Sequence, residues 1–70
     1  MTVRVVYGGV GTMLFAIKES ETADGLAARV RVLTGGDAAG LVFNDGVLVG
    51  GLPLVQQGVV DGSVLRSLAT

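Results

Sequence analysis

Nucleophilic, redox and metal chemistry draws first on cysteine and histidine, and this 70-residue chain has neither. No thiolate, disulfide or thiolate metal site can form, and no imidazole serves as a general base near neutral pH. Ser20 and Ser63 have no partner base in the sequence and read as turn residues. Glu19, Glu21 and Asp24 gather before and at the start of a helical segment. There a solvated carboxylate satisfies the positive end of the helix dipole, a better account than catalysis. Gly8-Gly9-Val10-Gly11-Thr12 has the glycine content of a phosphate loop but lacks its lysine, and it leads into a strand instead of a helix. Leu14 stands where the dinucleotide fingerprint needs its third glycine. A hairpin turn explains the segment, and the expectation is that the protein is not an enzyme and needs no cofactor or metal.

The elements around these residues are short and ordered. Val3 and Val5 alternate with Thr2, Arg4 and Val6, the period-2 pattern of a half-buried strand over Met1–Tyr7. After the glycine turn, Met13, Phe15 and Ile17 alternate with Thr12, Leu14, Ala16 and Lys18, which predicts an antiparallel hairpin. Thr22 then caps a helix over Thr22–Thr34, with Asp24 in its first turn and Arg29 and Arg31 towards its end. Ala23, Leu26, Ala27, Val30 and Leu33 fall on one helical face. Gly25 in the first turn costs up to about 1 kcal/mol relative to alanine, which predicts a weak or tightly packed turn. Gly35-Gly36 stops the helix. Leu41–Phe43 and Val47–Val49 are short strands around an Asn44-Asp45-Gly46 turn, and Pro53 breaks regular structure. Leu54–Val60 is irregular with at most one helical turn, and Asp61-Gly62 leads into a last strand, Ser63–Leu68. Alternation alone buries either Leu65 or the pair Val64 and Leu68, because a one-residue slip inverts every side chain.

Composition narrows the function classes. Half of the residues are hydrophobic, which suits a single domain near the lower size limit for a self-sufficient core. No apolar run approaches the roughly 18–20 residues needed to span a bilayer, and the N-terminus lacks the layout of a secretion signal. Five basic and six acidic residues leave a net charge of −1. The basic residues Arg4, Lys18, Arg29, Arg31 and Arg66 are scattered, and the aromatics are only Tyr7, Phe15 and Phe43. Neither a basic stripe nor a stacking platform for nucleic acid is present. A reducing cytosol or nucleus is the expected compartment.

Several of these segments together resemble ubiquitin and the ubiquitin-like domains. The N-terminal hairpin leads through Lys18-Glu19-Ser20-Glu21-Thr22 into a helix carrying Leu26, Ala28, Arg29 and Val30. Leu41-Val42-Phe43-Asn44-Asp45-Gly46-Val47-Leu48 is similar to the family's Leu-Ile-Phe-x-Gly-x-x-Leu stretch, with Asp45 where glycine is usual. Gly51-Leu52-Pro53-Leu54 matches its Gly-x-x-Leu, and Gly62-Ser63-Val64-Leu65 the turn into the last strand. The likeness covers the whole chain, with a two-residue deletion before Asp37. It implies an α+β fold of the β-grasp type, a mixed four- to five-stranded sheet wrapped around one helix as a single domain. It also implies a parallel pairing of the first and last strands, and a core of Val3, Val5, Met13, Phe15, Ile17, Ala23, Leu26, Val30, Leu41, Leu48, Leu54, Val59 and Leu65. Leu65 is then inside and Arg66 outside, with Ser67 where the family usually has a core leucine.

The same likeness implies where a partner would bind. Family members are recognised through an apolar patch on the exposed sheet face, and the matching positions are Gly8, Val42, Arg66 and Leu68, with Val6 and Val47 alongside and Arg4 nearby. Gly8 replaces a leucine and Arg66 a histidine. Single exposed valines are ordinary on any small domain, so the expectation rests on their convergence. The implied partners are proteins such as proteasome receptor subunits or ubiquitin-binding helical motifs, met by a domain of an adaptor or shuttle protein in the ubiquitin–proteasome pathway. A conjugated modifier is the alternative. The sequence given ends at Ala69-Thr70 without the family's terminal diglycine, and its single lysine is Lys18. The family's usual lysine positions hold Val6, Gly11, Ala27, Arg29, Gly46 and Asp61. A β-grasp subunit that assembles a larger complex through a sheet edge or face is the third reading.

Overall fold

A computed structural model describes residues 1–7, 11–34 and 40–68. Strands β1 (Thr2–Tyr7) and β2 (Gly11–Ala16) come first, then helix α1 (Ala23–Thr34), β3 (Gly40–Phe43), β4 (Gly46–Val47), a 3₁₀ turn at Leu54–Gln57, and β5 (Val64–Leu68). The strands form one mixed sheet in the order β2-β1-β5-β3-β4. β1 pairs antiparallel with β2 and parallel with β5, and β3 pairs antiparallel with both β4 and β5. One helix packs against one side of this sheet. The architecture is α+β, in the arrangement of a β-grasp.

The buried set follows the alternation. Val3 and Val5 of β1, Phe15 of β2, Leu41 of β3 and Leu65 of β5 turn inward to meet Ala23, Leu26, Ala27 and Val30 of α1. Ile17, Leu54 and Val59 belong to the same core, and Met13, Phe43 and Leu48 pack against it while partly exposed. The open question in the last strand is answered by the ladder. Arg4 pairs with Val64, Val5 with Leu65 and Val6 with Arg66, which puts Leu65 on the same side as buried Val5. Arg66 and Val64 therefore face away from the helix.

Thr22 caps α1 as its sequence position predicts, its Oγ1 accepting the Gly25 N–H at 3.1 Å. The Glu21 carbonyl accepts from the Leu54 N–H at 2.7 Å and the Gly50 carbonyl from the Asp24 N–H at 2.9 Å, so the chain before the 3₁₀ turn is tied to the start of the helix. A methyl group on Gly25 would lie 2.6 Å from Glu21 Oε2. The glycine in the first turn thus makes room for a carboxylate folded across it. In the turn joining β3 to β4, Asn44 and Asp45 both have positive φ, 52° and 65°, the backbone that lets a two-residue connection match the twist of its strands. Gly46 belongs to β4.

Leu33 is a correction. Its spacing places it on the inward face, yet it is 59% exposed. At about 100° per residue it falls roughly 70° from the centre of the stripe formed by Ala23, Leu26, Ala27 and Val30. Val32, directly opposite that stripe, is 80% exposed. The strand predicted over Val47–Val49 is shorter than expected, ending at Val47. The glycines expected to turn the first hairpin at Gly8 and Gly9, and to end the helix at Gly35 and Gly36, lie outside the described residues.

Candidate functional site

The side of the sheet away from α1 is built from every second residue of each strand. Register then decides which of them become neighbours. Val6 stands opposite Thr12 on one side and Arg66 on the other, Arg66 stands opposite Val42, and Val42 stands opposite Val47. Thr12, Val6, Arg66, Val42 and Val47 therefore lie abreast in one row across all five strands. Arg4 belongs to the next row, between Leu14 and Val64. Leu68 lies opposite Gly40.

Five of the seven residues expected to bind a partner, Val6, Val42, Val47, Arg66 and Leu68, thus share one face, and Arg4 adjoins them. Gly8 lies outside the described residues. The convergence extends to side chains. A Cβ placed on Gly40 would lie 3.7 Å from Leu68 Cδ1 and 3.9 Å from Val47 Cγ1, so both side chains lean over the bare backbone of Gly40. A shallow depression of roughly 330 Å³ lies beside them, between Val6, Val42, Asp45, Val64 and Arg66. Val6, Val42 and Leu68 are half-buried by their neighbours, whereas Arg4, Val47 and Arg66 are exposed.

Two further residues complete this face. Leu14 is 66% exposed and Val64 is 54% exposed, and they flank Arg4 from either side. Alternation already put Leu14 on the side of Thr12 and Ala16. Val64 becomes visible only with the register of β5. The aliphatic surface is accordingly broader than the resemblance implies, and it spans the sheet from one edge to the other.

The charges carried by its strands are all of one sign, while Asp45 and Asp61 border the face from turns. None of the five strands contains an aspartate or glutamate, and the only charged side chains in them are Arg4 and Arg66. The described acids sit instead in turns, in the segment entering α1, or in its first turn. Glu21 is engaged there: its Oε1 accepts from Arg29 Nη1 at 2.9 Å, and the same nitrogen donates to the Ala16 carbonyl at 3.1 Å. The Arg29 guanidinium lies 5.3 Å from the centre of the Phe15 ring. Ser63 Oγ accepts the Val60 N–H at 2.9 Å, which gives that buried hydroxyl a turn-forming role.

Among the described residues, carboxylates gather in no group of three that would hold a metal ion. Gly11 and Thr12, the described part of the glycine-rich segment, open a strand and offer no helix N-terminus to a phosphate. Also among the described residues, no helix is long and apolar enough to cross a membrane. The chain matches no protein-family model, and no curated protein matches it significantly by sequence.

Proposed function

We propose that the chain is a non-covalent protein-interaction module resembling the ubiquitin-like domains, which receives its partner on the helix-free side of the sheet. The observation that supports this most is the row Val6, Arg66, Val42 and Val47, drawn from four separate strands, with Leu68 beside it and Arg4 in the adjoining row. Scattered valines would need no explanation; a contiguous aliphatic stripe whose strands carry two arginines and no acid does, with Asp45 and Asp61 only at its rim. Its chemistry suits a helix that presents aliphatic side chains with acidic ones beside them. Coulomb attraction to Arg4 and Arg66 steers the approach, and aliphatic contact holds the complex.

Ubiquitin-binding helical motifs and receptor subunits of the proteasome are the partners of this type, and an adaptor or shuttle protein of the cytosol or nucleus is the corresponding host. A contact of this size is transient, with a binding free energy on the order of −4 to −8 kcal/mol, millimolar to micromolar. The test is an NMR titration of the labelled chain with a ubiquitin-binding helical peptide. Shifts are expected at Val6, Val42, Val47, Arg66 and Leu68. Val42→Ala combined with Arg66→Glu is expected to abolish binding while leaving the folded spectrum intact. Unchanged affinity in that variant removes this face as the site.

A further inference from the structure

The two edges of the sheet are not alike. β4, at one edge, is only two residues long, and shortness is itself a protection against pairing with another chain. β2, at the other edge, is six residues long and pairs with β1 without interruption from Thr2 opposite Ala16 to Tyr7 opposite Gly11. It therefore contains no bulge. Its sequence, Gly-Thr-Met-Leu-Phe-Ala, contains no proline and no charge. Bulge, proline and charge, three of the devices that blunt an exposed edge, are thus missing from it.

The hydrogen-bond phase shows which backbone groups are open. Met1 and Ile17 exchange both bonds, Met1 N to the Ile17 carbonyl at 3.0 Å and Ile17 N to the Met1 carbonyl at 2.7 Å. Alternation along an antiparallel ladder then directs the N–H and C=O groups of Phe15 and Met13 towards β1, and those of Ala16, Leu14 and Thr12 away from it. β1 confirms the phase from its other side: Arg4 N donates to the Ser63 carbonyl and Gly62 N to the Thr2 carbonyl. Among the described residues, one group covers this edge, Arg29 Nη1 on the Ala16 carbonyl. A carbonyl oxygen has two lone pairs, so that contact leaves room for a second donor.

From this geometry we infer that β2 pairs antiparallel with β2 of a second copy, with its centre at Leu14, joining two five-stranded sheets into one. The open edge is self-complementary about that point. Leu14 meets its own counterpart, Thr12 meets Ala16, and three narrow pairs supply about six backbone hydrogen bonds. Small side chains stand opposite one another at both ends of the contact. No charge enters the strand pair, since Lys18 lies beyond its end. The outward row Val64, Arg4, Leu14 continues into Leu14, Arg4 and Val64 of the second copy, so the exposed leucines cover each other. The two Arg4 side chains are then three strand spacings apart, about 14 Å, beyond the Debye length of roughly 8 Å at physiological salt. A foreign extended peptide would form the same backbone bonds, but nothing along β2 selects a different sequence over its own.

The contact is small, below the standard size of stable interfaces, so a dissociation constant on the order of 10⁻⁴ M is expected. The experiment is sedimentation of the chain from micromolar to millimolar concentration, joined with amide hydrogen exchange at both extremes. A rising mass is expected, with protection gained at the Thr12, Leu14 and Ala16 amides and unchanged at Met13 and Phe15. Leu14→Lys is expected to weaken self-association at least tenfold. Val64→Lys, in the same row but two strands inward, is expected to leave it intact, as is Val42→Ala with Arg66→Glu. A single-chain mass throughout the range overturns the inference. So does a dimer that survives Leu14→Lys and dissolves with Val64→Lys, because that contact is face to face. Should Leu14→Lys fail to fold, the exchange pattern of the unmodified chain decides alone: no gain at those three amides overturns the inference.

Discussion

Val47 and Leu68 come from the two strands on either side of β3 and meet over Gly40, each within 4 Å of where a Cβ would stand there. Both distances are ordinary van der Waals separations, and the backbone of Gly40 is not in the left-handed region. Gly40→Ala is therefore expected to stabilise the domain by about 0.4–1 kcal/mol, chiefly by narrowing the unfolded ensemble. Urea denaturation followed by circular dichroism measures this. The same methyl group raises the floor between the two side chains without removing either.

The inward and outward faces of α1 should respond differently to truncation. Leu26 is completely buried, and Leu26→Ala is expected to lose about 2–5 kcal/mol, enough to unfold most of so small a domain. Leu33→Ala and Val32→Ala are expected to stay within about 0.5 kcal/mol of the parent. Thermal melts of the three variants check both statements. A large loss at Leu33 would mean that the last turn is packed.

Gly25 and Glu21 are expected to be coupled. Gly25→Ala gains up to about 1 kcal/mol in helix propensity. It also displaces the Glu21 carboxylate from Arg29, a partly exposed pair whose value is about 0–1 kcal/mol. The net change in the parent is therefore small. In a Glu21→Ala background the full gain should appear, and a double-mutant cycle in urea reads the difference.

Charge on the sheet face should show in the salt dependence of binding. Arg4 and Arg66 are exposed and face the proposed partner, so affinity for an acidic helical peptide is expected to fall as sodium chloride rises from about 0.01 to 0.15 M, over which the Debye length shrinks from about 30 to 8 Å. Arg66→Ala should flatten that slope and reduce the association rate more than it speeds dissociation. Titration calorimetry across the salt series, with stopped-flow mixing for the rates, measures both.

Much of this architecture is legible in the sequence because alternation and helical period are local signals. Val3 and Val5 against Arg4 and Val6, and Thr22 before Ala23, identify their elements and faces without tertiary information. The register of β5 is different. Val64-Leu65-Arg66 reads equally well in two phases, and only its pairing with Arg4-Val5-Val6 selects one, a contact between residues some sixty positions apart. Leu33 misleads because a helical stripe has a margin, and a residue near that margin in the last turn is left uncovered. The candidate face was legible in Val6, Val42, Val47, Arg66 and Leu68, whose positions the family likeness supplied. Leu14 and Val64 fall outside the implied patch, and only the ladder places them on either side of Arg4.

The parallel pairing of β1 with β5 has a kinetic consequence. The centre of the sheet unites the earliest and latest segments described, so its hydrogen bonds cannot form on a ribosome until Leu65 and its neighbours have emerged from the exit tunnel. Until then the β1–β2 hairpin and α1 lack the strand that joins them to β3. The central pairing therefore completes only after all of the described residues have been synthesised, and closing the long loop between β1 and β5 carries an entropic cost that forming α1 does not.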